Sequence, residues 1–387
     1  TSGKIRVCGV ADADCPQLVE FYIETLKLDD ARIVDAEGRE IPCQVSSHPR
    51  GRMISFMDTF AAGQAKEYSY FETEKSPEVI NTRQCYIGAE RVKDIVNDYD
   101  PESWHLPYYY ENSFFRLAYR PGEGITSFID RRTGREMLGK GEAPLFTPMY
   151  EVTEVRRDSG EAGCPEERER RIMGRNMRGC HAVLHTGELK EVTCQERGPV
   201  FTILRFRYSL PGTVHADVIV KFYEAVPRID FKLELGKTIS SDIESIFLPL
   251  SLNIPGSSLY LKKGSEAFRP GTDQIPGTCM EFYMSDDGLA YTGPDGGALI
   301  AVRDTPLFYM GELRHHPIRL CGGKEEDNDR PVYSWVMNNI WETNFKMDLS
   351  GFCEFNYSLW LSGEMEPEHA MEQLKERSYD PVILIVE

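Results

Sequence analysis

Apolar residues recur at every second position along much of this chain. In "VFTILRFRYSL" (200–210), "HADVIVKFY" (215–223), "RIDFKLEL" (228–235) and "FCEFNYSLWL" (352–361), Val, Ile, Leu, Phe and Tyr alternate with charged or amide residues. That period belongs to a β-strand with one face buried and one face wet, the usual state of an antiparallel sheet. "FFRLAYR" (114–120) reads the same way, and "PGEG" (121–124), "RTGR" (132–135) and "PDGG" (294–297) supply turns between strands. Only "EPEHAMEQLKERS" (366–378) shows a clear helical stripe, through Ala370, Met371 and Leu374.

The pattern divides the chain into a small all-β unit at 1–77, a connection at 78–104, and a large unit at 105–387. In the first, "ARIVDAEGREIPCQV" predicts a hairpin around Ala-Glu-Gly, and "MISFMDTFAAGQAKEYSYFE" predicts a second around "AAGQ". Some 280 residues of mostly antiparallel strand are too many for one open sheet, which curls or splits beyond ~10 strands. The expectation is therefore a large antiparallel two-sheet supersandwich with one short helix near the C-terminus. The charge-dense segment 163–179 and the acidic run "GGKEEDNDRP" (322–331) interrupt the strand pattern and read as solvated loops.

Composition changes this picture little. The chain has 387 residues and a formal charge of −18, which argues against a nucleic-acid partner, since phosphate binding calls for a basic face. No stretch approaches the ~18 consecutive apolar residues of a membrane helix, and no signal-peptide pattern opens the chain. Ten scattered cysteines without a C-x-x-C read as free thiols of a reducing, cytoplasmic setting. Thr1 in place of Met points to a processed or cut start.

The search for chemistry returns few candidates. His181 and His185 have helical chelate spacing, but in a strand context they stand ~13 Å apart, too far to share one metal ion. His315 and His316 are adjacent and face opposite ways if extended. Hydrolase elbows and nucleotide-binding glycine loops are absent from the sequence. Paired carboxylates could cleave a glycoside. Asp273, in "RPGTDQIPGTC" with Arg269 and Gln274, and Glu342, in "SWVMNNIWETNF" (334–345), are the suggestive acids. Each has a purely structural alternative: Asp273 capping a turn, Glu342 bonding to backbone. Neither face of the 334–345 run is cleanly apolar, so it reads as a bent loop. Trp335, Trp341 and Phe345 would anchor it, and Asn338, Asn339, Asn344 and Glu342 would tie it down through backbone hydrogen bonds.

Four segments, in order, resemble the β-rich C-terminal part of glycoside hydrolase family 38, the α-mannosidases. "YYENSFFRLAYRPGEGITSFIDRRTGREML" (109–138) resembles the start of that family's large C-terminal β-domain. "WVMNNIWETNF" (335–345) resembles its "NNxWxTNF" signature, and "AMEQLKERSYDPVILIVE" (370–387) resembles the helix and strand that close it. Residues 1–77 resemble the small β-domain preceding it. The resemblance implies a galactose mutarotase-like supersandwich. It also implies that the nucleophilic aspartate and the zinc belong to an N-terminal α/β barrel whose motifs match nothing here. No catalytic residue and no metal ligand are therefore assigned to this chain.

The expected function is the non-catalytic β-portion of an α-mannosidase-type enzyme of mannose metabolism. It would buttress the barrel of the same parent protein and line the site of an α-mannoside-containing glycan. The candidate carbohydrate- or domain-facing residues are Arg269, Asp273, Gln274, Asn338, Asn339, Trp341, Glu342 and Asn344. A self-standing carbohydrate-binding module is the alternative, with Trp104, Tyr108–Tyr110 and Trp341 as platforms. A mutarotase-like epimerase using His215 and Glu244 is a third.

Overall fold

The computed structural model describes residues 2–10, 14–25, 30–74, 86–87, 108–153, 182–240, 242–313, 318–323, 330–339 and 348–386. The expected 163–179 loop, most of 78–104, the core of the acidic run, and Trp104, His181, His315, His316, Trp341, Glu342, Asn344 and Phe345 lie outside the described residues.

Among the described residues the fold is all-β apart from the helix Pro367–Arg377, and every strand pairing is antiparallel. In the N-terminal part, a five-stranded sheet runs in the order Val382–Val386, Ser2–Cys8, Ala65–Thr73, Asp30–Asp35, Glu40–Ile41. A three-stranded sheet, Cys15–Ile23, Gly51–Phe60, Cys43–His48, lies against it. Ile5, Val7, Val19, Phe21, Ile33, Ile54, Phe56 and Tyr68 fill the space between the two.

The first expected hairpin is present, with Ile33 opposite Ile41 and Val34 opposite Glu40. The second is not. Gly51–Phe60 and Ala65–Thr73 turn at "AAGQ" but enter different sheets. The physical reason is burial: from opposite sheets the two strands press Phe56 and Tyr68 against each other in the core, with ring centroids 4.8 Å apart. Arg52 to Phe60 pair with Cys15–Ile23, while Ala65–Thr73 fits between Ser2–Cys8 and Asp30–Asp35. The closing strand Val382–Val386 joins the N-terminal sheet by pairing with Ser2–Cys8, although the chain has by then passed through the whole large unit.

The large unit is built on a nine-stranded sheet. Its order is Glu188–Arg197, Phe201–Ser209, Thr213–Tyr223, Arg228–Lys237, Gly351–Ser362, Gly297–Val302, Gly288–Thr292, Ser258–Lys263, Glu266–Phe268. The alternating runs read from sequence form four adjacent central strands. Leu204, Phe206, Val218, Val220, Phe231, Leu233, Leu359 and Leu361 point inward, while Arg205, Lys221, Lys232 and Glu354 occupy the opposite face. The second layer is shared by two sheets. A six-stranded one runs Val183–Thr186, Met149–Thr153, Ile243–Pro249, Val332–Asn338, Leu307–Met310, Phe282–Met284. A five-stranded one contains Phe115–Arg120 and Gly124–Asp130. One continuous core joins all three sheets.

The helix covers part of the outer face of the nine-stranded sheet. Ala370, Met371 and Leu374 are fully buried against Ala290, Leu299, Ala301 and Trp360. Pro367 opens the first turn, and Lys375 and Arg377 lie in the last, where cations suit the helix dipole.

Gln44 pins the N-terminal part to the large unit. Its Oε1 accepts from the backbone N–H groups of Val200 (3.3 Å) and Phe201 (3.2 Å), and its Nε2 donates to Glu196. Gly198 leaves the space: a Cβ there would stand 2.2 Å from Gln44 Oε1. Leu18, Val200, Phe201 and Tyr223 close an apolar contact beside this joint.

Candidate functional site

Residues 334–338 of the suggestive run belong to the central strand Val332–Asn338, where the sequence reads as a bent loop; residues 340–345 of the run lie outside the described residues. The missing apolar face has two causes. The strand is buried on both sides, with Val332 and Val336 in the main core and Tyr333 and Trp335 in a second cluster with Phe247 and Tyr309. A β-bulge then breaks the alternation. Trp335 lies opposite Phe247 and Met337 opposite Ile246, which leaves Val336 as the extra residue, so Val336 and Met337 both reach the main core. Trp335 is anchored as expected: its ring stacks on Phe247 at 5.7 Å and meets Tyr309 edge-on at 6.0 Å.

The strand delivers Asn339 into a buried polar cluster. Asn339 is 2% exposed; its Oδ1 accepts from Glu244 N–H at 2.6 Å, and its Nδ2 donates to the Asp242 carbonyl at 2.7 Å. Its own N–H donates to the Glu244 carbonyl at 3.2 Å. The neighbouring Asn338 is half-buried and continues the ladder opposite Ser245.

Glu244 is the centre of this cluster. Its Oε1 accepts from Lys237 Nζ at 2.7 Å and from Tyr150 OH at 2.6 Å. Lys237 also donates to the Thr238 carbonyl at 2.6 Å, and both charged side chains are almost wholly buried. Glu244 Oε2 is buried with no hydrogen-bond partner among the described residues. Burial, and then the bond to Glu244, push the Tyr150 phenol well above its ordinary range, so the tyrosine is a fixed donor at neutral pH. Gly212 makes the roof possible, because a Cβ there would lie 2.7 Å from the Tyr150 ring. Sequence reasoning singled out Glu244 but missed Lys237 and Tyr150, which come from separate strands with no local signal.

The second predicted group is a self-contained loop. Asp273 Oδ2 accepts from Arg269 N–H at 2.8 Å and so caps the turn. Gln274 Oε1 accepts from Gly271 N–H (2.9 Å) and Tyr283 OH (3.0 Å), while its Nε2 donates to the Cys279 carbonyl (2.7 Å) and Thr278 Oγ1 (3.0 Å). The structure does not bring this loop to Asn339. Tyr283 aligns with Phe308, and Phe308 with Ser334, five residues before Asn339. At ~3.3 Å per residue and ~4.8 Å per strand, the two groups are on the order of 20 Å apart.

The remaining candidates separate as well. His215 packs toward Gly236, and Glu244 is held by Lys237. Adjacent residues of a strand face opposite ways, so the pair expected for an epimerase is split across the sheet. His185 stacks on Tyr150 with centroids 6.2 Å apart. Tyr110 is fully buried and stacks on Phe222 at 4.1 Å, while Tyr108 and Tyr109 are half-buried. Among the described residues, no three His, Cys, Asp or Glu side chains converge as a metal-ligand set. No helix of the described residues is long and apolar enough to cross a membrane.

No family model matches the sequence, and a search of curated proteins finds no match. The fold does match solved structures. An alpha-mannosidase from Enterococcus faecalis V583 aligns over 100% of this chain and 46% of its own, with a TM-score of 0.62 at 10% identity. A glycosyl hydrolase family 38 protein from Enterococcus faecalis aligns over 100% of this chain and 47% of its own, with a TM-score of 0.59 at 10% identity. This chain therefore has the fold of about half of each of those proteins.

Proposed function

We propose that this chain is the non-catalytic β-portion of an α-mannosidase-type glycoside hydrolase, resting against a catalytic barrel and contributing one wall of its site for an α-mannoside-containing glycan. The observation that carries the reading is the alignment of the entire chain with about half of two family 38 structures. The residues agree with it. Asp273 caps a turn through Oδ2, Glu244 is buried as the partner of Lys237 and Tyr150, and Glu342, the other suggestive acid, lies outside the described residues. The zinc and the nucleophile would come from the barrel. A cytoplasmic location belongs to the same proposal and rests on the thiol usage of the sequence.

A self-standing carbohydrate-binding module is less well supported, because Tyr110, one of its platforms, is a core residue. Hydrolysis of p-nitrophenyl α-mannoside, with and without added zinc, tests the proposal. The isolated chain is expected to show no turnover, and the parent protein is expected to be active. Turnover by the isolated chain would overturn the reading.

A further inference from the structure

One rim of the large unit carries an apolar patch that nothing in this chain's described residues covers. Thr213, Lys237 and Gly351 align across three adjacent strands of the nine-stranded sheet and mark that rim. Just beyond or beside them, Val214 is 77% exposed, Ile239 65%, Phe352 61% and Leu349 44%. Val214, His215 and Phe352 gather around Gly236. Phe352 lies opposite Gly236, and the His215 and Phe352 rings come within 5.9 Å. Gly236 lacks the Cβ that would meet Val214 at 2.6 Å and His215 at 2.5 Å, which lets both lie over the strand. The Thr238 N–H donates to the Gly212 carbonyl at 3.0 Å and holds Ile239 beside the 210–214 turn.

The patch lies at the same end of the nine-stranded sheet as the Asn339 cluster, with His215 and Phe352 on the opposite face from Lys237 and Glu244. Gly212 roofs Tyr150, Tyr150 bonds Glu244, and Glu244 holds Asn339. The rim that roots the 334–345 run is thus the rim that exposes large apolar side chains.

We infer that this rim, formed by Val214, His215, Ile239, Leu349 and Phe352, is the docking surface for the catalytic portion of the same parent polypeptide. This rests on the proposed function. Three observations favour a covalently linked occupant. More than half of each structural neighbour lies outside the match, so a large body accompanies this fold there. The patch exposes on the order of a few hundred Å², short of the ~1,000 Å² that a stable bimolecular interface needs. A tethered partner, present at an effective concentration of about millimolar, needs far less. Self-association is further opposed by the charge of −18.

The test compares amide hydrogen exchange of the isolated 387-residue chain with that of the parent protein, and repeats both with a Val214→Ser/Ile239→Ser/Phe352→Ser variant. Peptides covering 212–216, 236–239 and 349–353 are expected to exchange about tenfold more slowly in the parent, and the variant is expected to abolish that difference while leaving the melting temperature of the isolated chain unchanged. Protection confined to another surface, such as the exposed closing strand Val382–Val386, would overturn the inference and leave the proposed function standing. No protection anywhere in the chain, together with a parent inactive on α-mannosides, would sink both. A concentration-dependent dimer of the isolated chain that the triple variant dissolves would reassign the patch to a second copy and overturn the inference.

Discussion

Asn339 and Glu244 hold each other reciprocally: the Glu244 N–H donates to Asn339 Oδ1 at 2.6 Å, and the Asn339 N–H donates to the Glu244 carbonyl at 3.2 Å. The pair closes the end of the strand Val332–Asn338 against its neighbour Ile243–Pro249 and sets where the chain leaves the sheet.

Replacing Asn339 tests how much of that closure the amide supplies. Asn339→Ala leaves the buried Glu244 N–H and Asp242 carbonyl without their partner and is expected to cost about 1–3 kcal/mol. Asn339→Asp keeps the acceptor for Glu244 N–H and is expected to retain its slow amide exchange, which Asn339→Ala loses. Urea midpoints and exchange at the Glu244 amide measure both.

The Lys237–Glu244 pair predicts a non-additive double variant. Lys237→Met strands a buried carboxylate and is expected to cost roughly 3–5 kcal/mol. Adding Glu244→Gln removes the stranded charge while keeping an acceptor for Tyr150, so the double variant is expected to recover most of the loss. Additive costs in a thermodynamic cycle would contradict the pairing.

Glu224 gives the stability a pH dependence. Burial pushes its carboxyl up to about 7 from an ordinary 4.5, although Tyr110 OH donates to Oε1 at 3.0 Å. Between those two values the folded protein holds a proton that the unfolded chain has released. Stability therefore falls as pH rises from about 4.5 to about 7 and is level above that. Glu224→Gln is expected to flatten this slope and to raise stability at pH 8 by up to about 3 kcal/mol. Unfolding curves at pH 5 and pH 8 decide it; equal slopes in both proteins would refute the assignment.

The joint between Gln44 and the 196–201 turn predicts that two unlike substitutions share one defect. Gly198→Ala drives a methyl into Gln44, and Gln44→Ala removes the acceptor for Val200 and Phe201 N–H. Each is expected to cost about 1–3 kcal/mol and to open the turn to limited proteolysis. The double variant is expected to be little worse than the poorer single one.

By itself, the sequence determined the strand-rich class, the inward residues of the four central strands and the helix Pro367–Arg377 with its Ala370, Met371, Leu374 stripe. These follow from side-chain periods of two and 3.6, which are local properties of a backbone. It also singled out the 334–345 run and the 269–274 turn, because amides and glycines in apolar surroundings have local meaning. Tertiary structure alone decided the rest. Whether Gly51–Phe60 and Ala65–Thr73 pair with each other depends on which arrangement buries Phe56 and Tyr68 in one core. Why 332–338 lacks an apolar face depends on burial from two sides and on one bulge at Val336. That Lys237, Tyr150 and Asn339 converge on Glu244 depends on three strands distant in sequence and adjacent in space. Periodicity reports which way a side chain faces; only the pairing of strands reports what it meets.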